Sequence, residues 1–150
     1  MMKIAIGCDH GGFILKQGIL DFLKQREIEV TDFGTFDEKS VDYPVYGKKV
    51  AQAVASGEAD KGILLCGTGI GISIAANKVR GIRAAVVTDE FCAEACKAHN
   101  NANVLALGGR VVSPELAVKL VAVWLDTEFG GERHQRRIDM ISDIEAETMK

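Results

Sequence analysis

Apolar segments and helical patterns alternate along the whole chain, and this alternation limits what it can fold into more than any other feature. The segments KIAIGC (3–8), IEVTDF (28–33), GILLC (62–66), AAVV (84–87) and NVLAL (103–107) read as five strands, each bounded by turn-forming residues. Between them, apolar residues recur at helical spacing: Leu15, Ile19, Phe22 and Leu23; Tyr46, Val50, Ala53 and Val54; and, after the fifth strand, Leu116, Leu120, Val123 and Trp124. Ile72, Ala75, Ala76 and Val79 repeat the pattern with small residues that permit close packing. Such alternation needs crossover connections, so it predicts an α/β fold: a three-layer αβα sandwich around a five-stranded parallel, Rossmann-like sheet. A last helical segment, from about Glu132 to Thr148, has no strand after it and reads as an appended C-terminal helix.

Composition narrows the class. The chain has 150 residues, 47% of them hydrophobic, enough for one domain spanning 1–150 that buries most of its apolar surface. Its 18 basic and 21 acidic residues are spread evenly, leaving a net charge of −3, so neither nucleic acid nor an anionic membrane is an expected partner. The apolar run in MMKIAIGCDHGG is too short for a signal peptide, which predicts a cytoplasmic protein. The longest uncharged stretch, Gly62 to Asn77, is rich in Gly and Thr and falls short of the ~18 apolar residues of a membrane span. The four cysteines follow no framework spacing and are expected to be free thiols.

In an open parallel sheet, ligands bind beyond the carboxyl ends of the strands. Those ends carry Cys8, Asp9 and His10; Cys66 and GTGIG; Thr88 and Asp89; and Gly108, Gly109 and Arg110. Gly67, Gly69 and Gly71 form GxGxG, which lacks the last spacing of a dinucleotide fingerprint, and no Lys occupies the P-loop position. Asp89, 22 residues after Gly67, is the one feature that favours a non-catalytic nucleotide-binding module, and a plain tight turn is the other alternative. The preferred physical reading is a row of bare N–H groups at a helix start, suited to an anionic oxygen, with Cys66 in a field that favours thiolate.

Cys92, Cys96 and His99 share a helix face, but a structural zinc needs four ligands and no fourth is present, so no metal is expected and the cysteines are read as packing against the sheet. His99 and Asn100 precede the fifth strand and so belong at the amino edge, opposite Cys66. A site containing both needs a second subunit. Arg133 and Arg137 are spaced to grip one phosphate, and their place at a helix start, where the dipole disfavours cations, points to an anion partner.

GCDHGG (7–12), DYP (42–44), CGTGIGISIAANK (66–78), HNNANVLALGGRVV (99–112) and GGERHQRR (130–137) occur in order along nearly the whole chain. In these motifs the chain resembles the type B ribose-5-phosphate isomerases, within a wider family that includes allose-6-phosphate and galactose-6-phosphate isomerases. The resemblance implies reversible isomerisation of ribose 5-phosphate and ribulose 5-phosphate in the pentose phosphate pathway, without cofactor or metal, by a homodimer or tetramer whose site is shared between subunits. A six-carbon sugar phosphate is the alternative substrate. By this resemblance Cys66 is the general base, and Thr68 with Gly67, Gly69, Ile70 and Gly71 forms the enediolate pocket. His99 is the ring-opening acid, with Asp9 close to the ring oxygen and hydroxyls. His10, Arg133 and Arg137 hold the phosphate, while Tyr43, Asn100 and Arg110 make other substrate contacts. Members without the cysteine use a glutamate at the position held here by Ile72.

Overall fold

The computed structural model describes residues 1–149. Its elements are β1 (Lys3–Cys8), α1 (Phe13–Gln25), β2 (Glu29–Asp32), α2 (Tyr43–Ala55), β3 (Lys61–Cys66), α3 (Ile70–Ala76), β4 (Ala84–Val86), α4 (Glu90–Ala98), β5 (Val104–Gly108), α5 (Pro114–Asp126) and α6 (Arg133–Thr148). All neighbouring strands are parallel, in the order β2-β1-β3-β5-β4. The α/β class, the five strands and the appended helix match expectation. The placing of β4 outside β5 does not follow from sequence. The chain runs from β1 outward to β2 and returns to β3 on the other side of β1, so the crossovers diverge beyond Cys8 and Cys66. That divergence is the crevice where ligands bind in such sheets.

Side-chain alternation sorts the core into two clusters. Ile4, Ile6, Ile63, Leu65, Leu105 and Leu107 face α1, α4 and α5 and pack with Leu15, Ile19, Leu23, Leu120 and Trp124. Ala5, Leu64, Val104 and Ala106 face α2 and α3 and pack with Val50, Ala51, Ile72 and Ala76. The second face is lined by smaller residues, and α2 lies close on it: a Cβ on Gly62 would stand 2.6 Å from Val50 Cγ1, and one on Gly7 would stand 2.9 Å from Cγ2. Gly47 in turn seats α2 against Ile72 and Ala75 of α3. This descent brings Tyr43, the first residue of α2, over the loop after β3.

Several boundaries differ from the sequence reading. The third helix stops at Ala76, short of Val79, and β4 has three residues. As an edge strand β4 is capped by Asn77, whose amide accepts from Ala84 N–H at 2.8 Å and donates to Ala84 C=O at 3.0 Å. Cys96 is buried as expected, but Cys92 is exposed, because it lies off the sheet-facing side of α4. No helix among the described residues is long and apolar enough to cross a membrane.

At the amino edge, the fully buried Trp124 donates from Nε1 to Ala102 C=O at 3.1 Å. Lys61 Nζ lies 5.8 Å from its ring centroid, and the buried Lys97 donates to Thr127 C=O at 3.1 Å. Burial, with the charge of Lys97 adding to it, pushes the Lys61 ammonium down from 10.5 to about 8. The folded chain therefore releases this proton before the unfolded chain does, and this group's contribution to stability rises as the pH climbs from about 8 to 10.5. Below that window both states hold the proton and the cost of the buried charge is fully in force. Lys61→Met is expected to be more stable than the wild type at neutral pH by only about 1–2 kcal/mol, because solvent screens much of the charge of a half-buried group. Urea unfolding at about pH 7 and about pH 10 should show that gap narrowing; a constant gap would refute the linkage.

Candidate active site

Three turns meet beyond β1, β3 and β5. Asp9 is buried, donates its N–H to Leu65 C=O at 3.0 Å, and accepts on Oδ1 from Gly11 N–H at 2.8 Å and Gly12 N–H at 3.1 Å. One carboxylate oxygen thus holds the turn and the other is left for a ligand. Gly109 N–H donates to Cys66 C=O at 2.8 Å, and Arg110 N–H to Gly67 C=O at 3.0 Å. The backbones approach so closely that a Cβ on Gly109 would collide with Gly11 C=O, and one on Gly108 would stand 2.6 Å from Thr68 carbonyl carbon. Glycine is required at both positions for the turns to touch.

Cys66 ends β3 with 4% of its surface exposed, and its Sγ accepts from Gly69 N–H at 3.0 Å. Gly69 makes this bond with φ at +81°, a left-handed conformation natural to glycine. Thr68 Oγ1 accepts from Ile70 N–H at 3.1 Å, which leaves its hydroxyl proton free to donate outward. The N–H groups of Gly67, Thr68 and Gly71 find no acceptor among the described residues. A sulfur atom, a hydroxyl and bare amides therefore share one lip, and such a group can move a proton and steady a developing oxyanion. Cys8 ends the neighbouring strand but faces the larger core, where burial pushes its thiol up to about 11. It does not reach the lip formed after Cys66.

The rim comes from other elements. Tyr43 lies over Gly71, where a Cβ would stand 2.7 Å from the ring Cζ. The Arg110 guanidinium covers Gly67, and Ile70 is exposed beside it. His10 Nδ1 accepts from Val41 N–H at 3.2 Å, so its Nε2 carries the proton and is a donor. The structure thus gathers Asp9, His10, Tyr43, Cys66, Gly67, Thr68, Gly69, Ile70, Gly71 and Arg110 at the carboxyl edge.

The remaining expected residues lie at the opposite edge. His99 caps the end of α4, with Asn100 next, and both are exposed; Arg133 and Arg137 project from the start of α6. Six residues of β3 separate the groups, roughly 20 Å at the rise of a strand. The two arginines make no ion pair among the described residues. Here the structure adds a residue that the sequence reading passed over. His134 stacks on His99 with ring centroids 4.6 Å apart and planes 17° from parallel. Its signal was its place between the two assigned arginines in ERHQRR. Behind this cluster a groove of about 420 Å³ runs between α6 and β4, lined by Asn77, Arg83, Asn100, Ile141, Ile144 and Glu145 among others.

Other readings lose their footing. Asp89 Oδ1 accepts from Cys92 N–H at 2.8 Å and so caps α4 instead of facing a ribose. Cys96 bonds Ala93 C=O and His99 stacks on His134, so the Cys92, Cys96 and His99 set does not converge on a point.

Residues 4–141 match the model of a family described as ribose/galactose isomerase. The chain belongs to the ribose/galactose isomerase family. It is 54% identical to ribose-5-phosphate isomerase B of Escherichia coli K12 over 145 residues, 97% of each chain. Among solved structures it is similar to ribose-5-phosphate isomerase B of Clostridium thermocellum, with TM-score 0.96 and 59% identity over 97% of this chain and 99% of that one. It is also similar to a ribose 5-phosphate isomerase of Thermotoga maritima, with TM-score 0.91 and 53% identity over 95% and 98%. In this family member the His99 cluster makes a direct electrostatic claim. Loss of hydration, reinforced by the charges of His99, Arg133 and Arg137, holds the His134 imidazole below its usual 6.5. In an NMR titration His134 should protonate below that value, and Arg133→Gln/Arg137→Gln should move it back upward; no movement would show that the arginines do not act on it.

Proposed function

We propose that the chain interconverts ribose 5-phosphate and ribulose 5-phosphate through an enediolate, as a reversible aldose–ketose isomerase of the pentose phosphate pathway. The observation that carries the chemistry is the Cys66 Sγ held 3.0 Å from Gly69 N–H, at a lip of bare amides beside the buried Asp9. Identity of 54–59% over 97% of this chain to ribose-5-phosphate isomerases B supports the substrate. The Cys66 thiolate takes the C2 proton of the open-chain aldose, the electron pair forms the C1–C2 double bond, and O1 becomes the oxyanion. The Thr68 hydroxyl and the free N–H groups of Gly67, Thr68 and Gly71 steady that charge, while the Gly69 and Ile70 N–H groups hold Cys66 Sγ and Thr68 Oγ1 in place. A proton then passes from O2 to O1, and Cys66 returns its proton to C1, leaving the ketone at C2. The oxidation of C2 is balanced by the reduction of C1 within the sugar, and only protons pass to and from the protein, so the chemistry calls for no redox cofactor.

Ring opening and phosphate binding need the other edge. In this reading His99 of a second copy protonates the ring oxygen while Asp9 steadies the hydroxyls. His10 Nε2–H from one copy, and Arg133 and Arg137 from the other, hold the phosphate; Tyr43, Arg110 and Asn100 line the sugar. The strand-length separation of the two clusters supports a homodimer or tetramer with shared sites, since a two-fold axis brings each cluster of one copy to the complementary cluster of the other. Met140, Ile141 and Ile144, each about half exposed on α6, give such an interface apolar area. The chain acts as one cytoplasmic domain.

Cys66→Ala should lower kcat by about 10³-fold, at the general-base scale, while phosphate-ester binding persists; normal turnover would exclude Cys66 as the base. Mixing inactive Cys66→Ala with inactive His99→Asn and allowing subunits to exchange should restore roughly a quarter of wild-type activity, because each mixed dimer holds one intact site. Failure to restore any activity would count against sharing. Initial rates on ribose 5-phosphate, allose 6-phosphate and galactose 6-phosphate should rank the pentose first; a preferred hexose would replace the substrate but not the chemistry.

A further inference from the structure

One buried charge serves no step of this mechanism. Lys16 lies on the core side of α1 and is only 5% exposed, and its ammonium reaches the carboxyl edge. It contacts Asp32 at 2.8 Å (Oδ2) and 3.0 Å (Oδ1) and donates to Thr35 C=O at 2.6 Å. The Phe36 ring covers it with the centroid 4.4 Å away, and the Phe13 ring stands 5.6 Å away. Asp32 Oδ1 also accepts from Gly34 N–H at 2.9 Å. The peptides so pinned pair with the end of β1: Cys8 N–H donates to Gly34 C=O at 2.6 Å, and Thr35 N–H donates to Cys8 C=O at 2.8 Å. Asp9 and His10 are the next two residues. The same loop then runs on to Val41, whose N–H sets the His10 ring, and to Tyr43, which covers Gly71.

We propose that Lys16 is a positioning residue for substrate phosphate. Through Asp32 and Thr35 it holds the 33–42 loop, so that Val41 N–H keeps His10 in the Nε2–H form and Tyr43 stays over the glycine turn. Stability alone is a weak reason for the ion pair, because replacing a buried pair with apolar groups of similar volume is often neutral. What the pair supplies is direction. A single ammonium with one carboxylate and one carbonyl as acceptors fixes α1, the exit of β2 and the end of β1 at one point, which a methionine in the same space cannot do.

The kinetic arm of the test rests on the sugar-phosphate reading; the spectroscopic arm does not. Lys16→Met/Asp32→Asn removes both charges and keeps the volume. The KM for ribose 5-phosphate is expected to rise about tenfold with kcat changed less than about threefold, the pattern of lost binding that leaves the chemical step intact. Imidazole ¹⁵N NMR of the substrate-free protein should show His10 passing from one tautomer to a mixture. Arg26→Gln, which breaks the exposed Arg26–Asp126 pair elsewhere on α1, should move neither readout. An unchanged KM with an unchanged His10 tautomer in a folded double variant would overturn the proposal, as would a fall in kcat that tracks lost melting temperature alone. If the double variant fails to fold, Asp32→Asn carries the same two readouts, and Lys16→Arg alone, which keeps the cation and its partner, should leave both near their wild-type values. Were the wild type inert toward ribose 5-phosphate, the functional reading would fail by itself and the His10 spectrum would still decide the inference.

Discussion

The contact of three backbone turns beyond β1, β3 and β5 is the constraint on which the rest of this structure depends. Glycine at 11, 108 and 109 lets the turns touch main chain to main chain, and hydrogen bonds from Gly109 and Arg110 to Cys66 and Gly67 lock them. A side chain at Gly109 would force the turn after β5 away from the turn after β1, and the bare amides after Cys66 would lose their backing. The parallel sheet beneath supplies the support: β1, β3 and β5 are buried on both faces, so these turns hang from the most deeply buried strands.

Strand alternation then decides which thiol reaches the mouth of the glycine turn. Cys8 and Cys66 both end central strands, but Cys8 turns toward the larger cluster under α1 and Cys66 toward the smaller one under α2 and α3. Burial raises the first to about 11, whereas the second meets the N–H of Gly69 at the mouth of a turn. The same packing lowers α2 onto the sheet and swings Tyr43 over Gly71. The placing of the Cys66 sulfur and of the aromatic rim are two results of one choice of small residues on that face.

Much of this was legible from the chain. Period and punctuation gave the strands and helices because a doubly covered parallel sheet needs continuous apolar strands and amphipathic crossovers. His99 could be assigned to the edge away from Cys66 because a residue just before a strand must lie at that strand's start. The helix through Cys92 and Cys96 was less readable: both fit one stripe, but only Cys96 reaches the core. Lys16 escaped notice for a similar reason. On a helix wheel it is a lysine beside an apolar face, and nothing local shows that its ammonium will find Asp32 and Thr35, 16 and 19 residues onward.

The sequence by itself determined the alternating order of elements, the glycine turn after a cysteine and the separation of two reactive clusters by the length of a strand. These follow from local rules of period, turn chemistry and direction. Only the tertiary structure decided that β4 lies outside β5, that His134 stacks on His99, that Val41 orients His10 and that a buried lysine ties the rim loop to the end of β1. Those contacts join residues from different elements, and their geometry depends on how closely the layers pack, a quantity that no single segment of the chain carries.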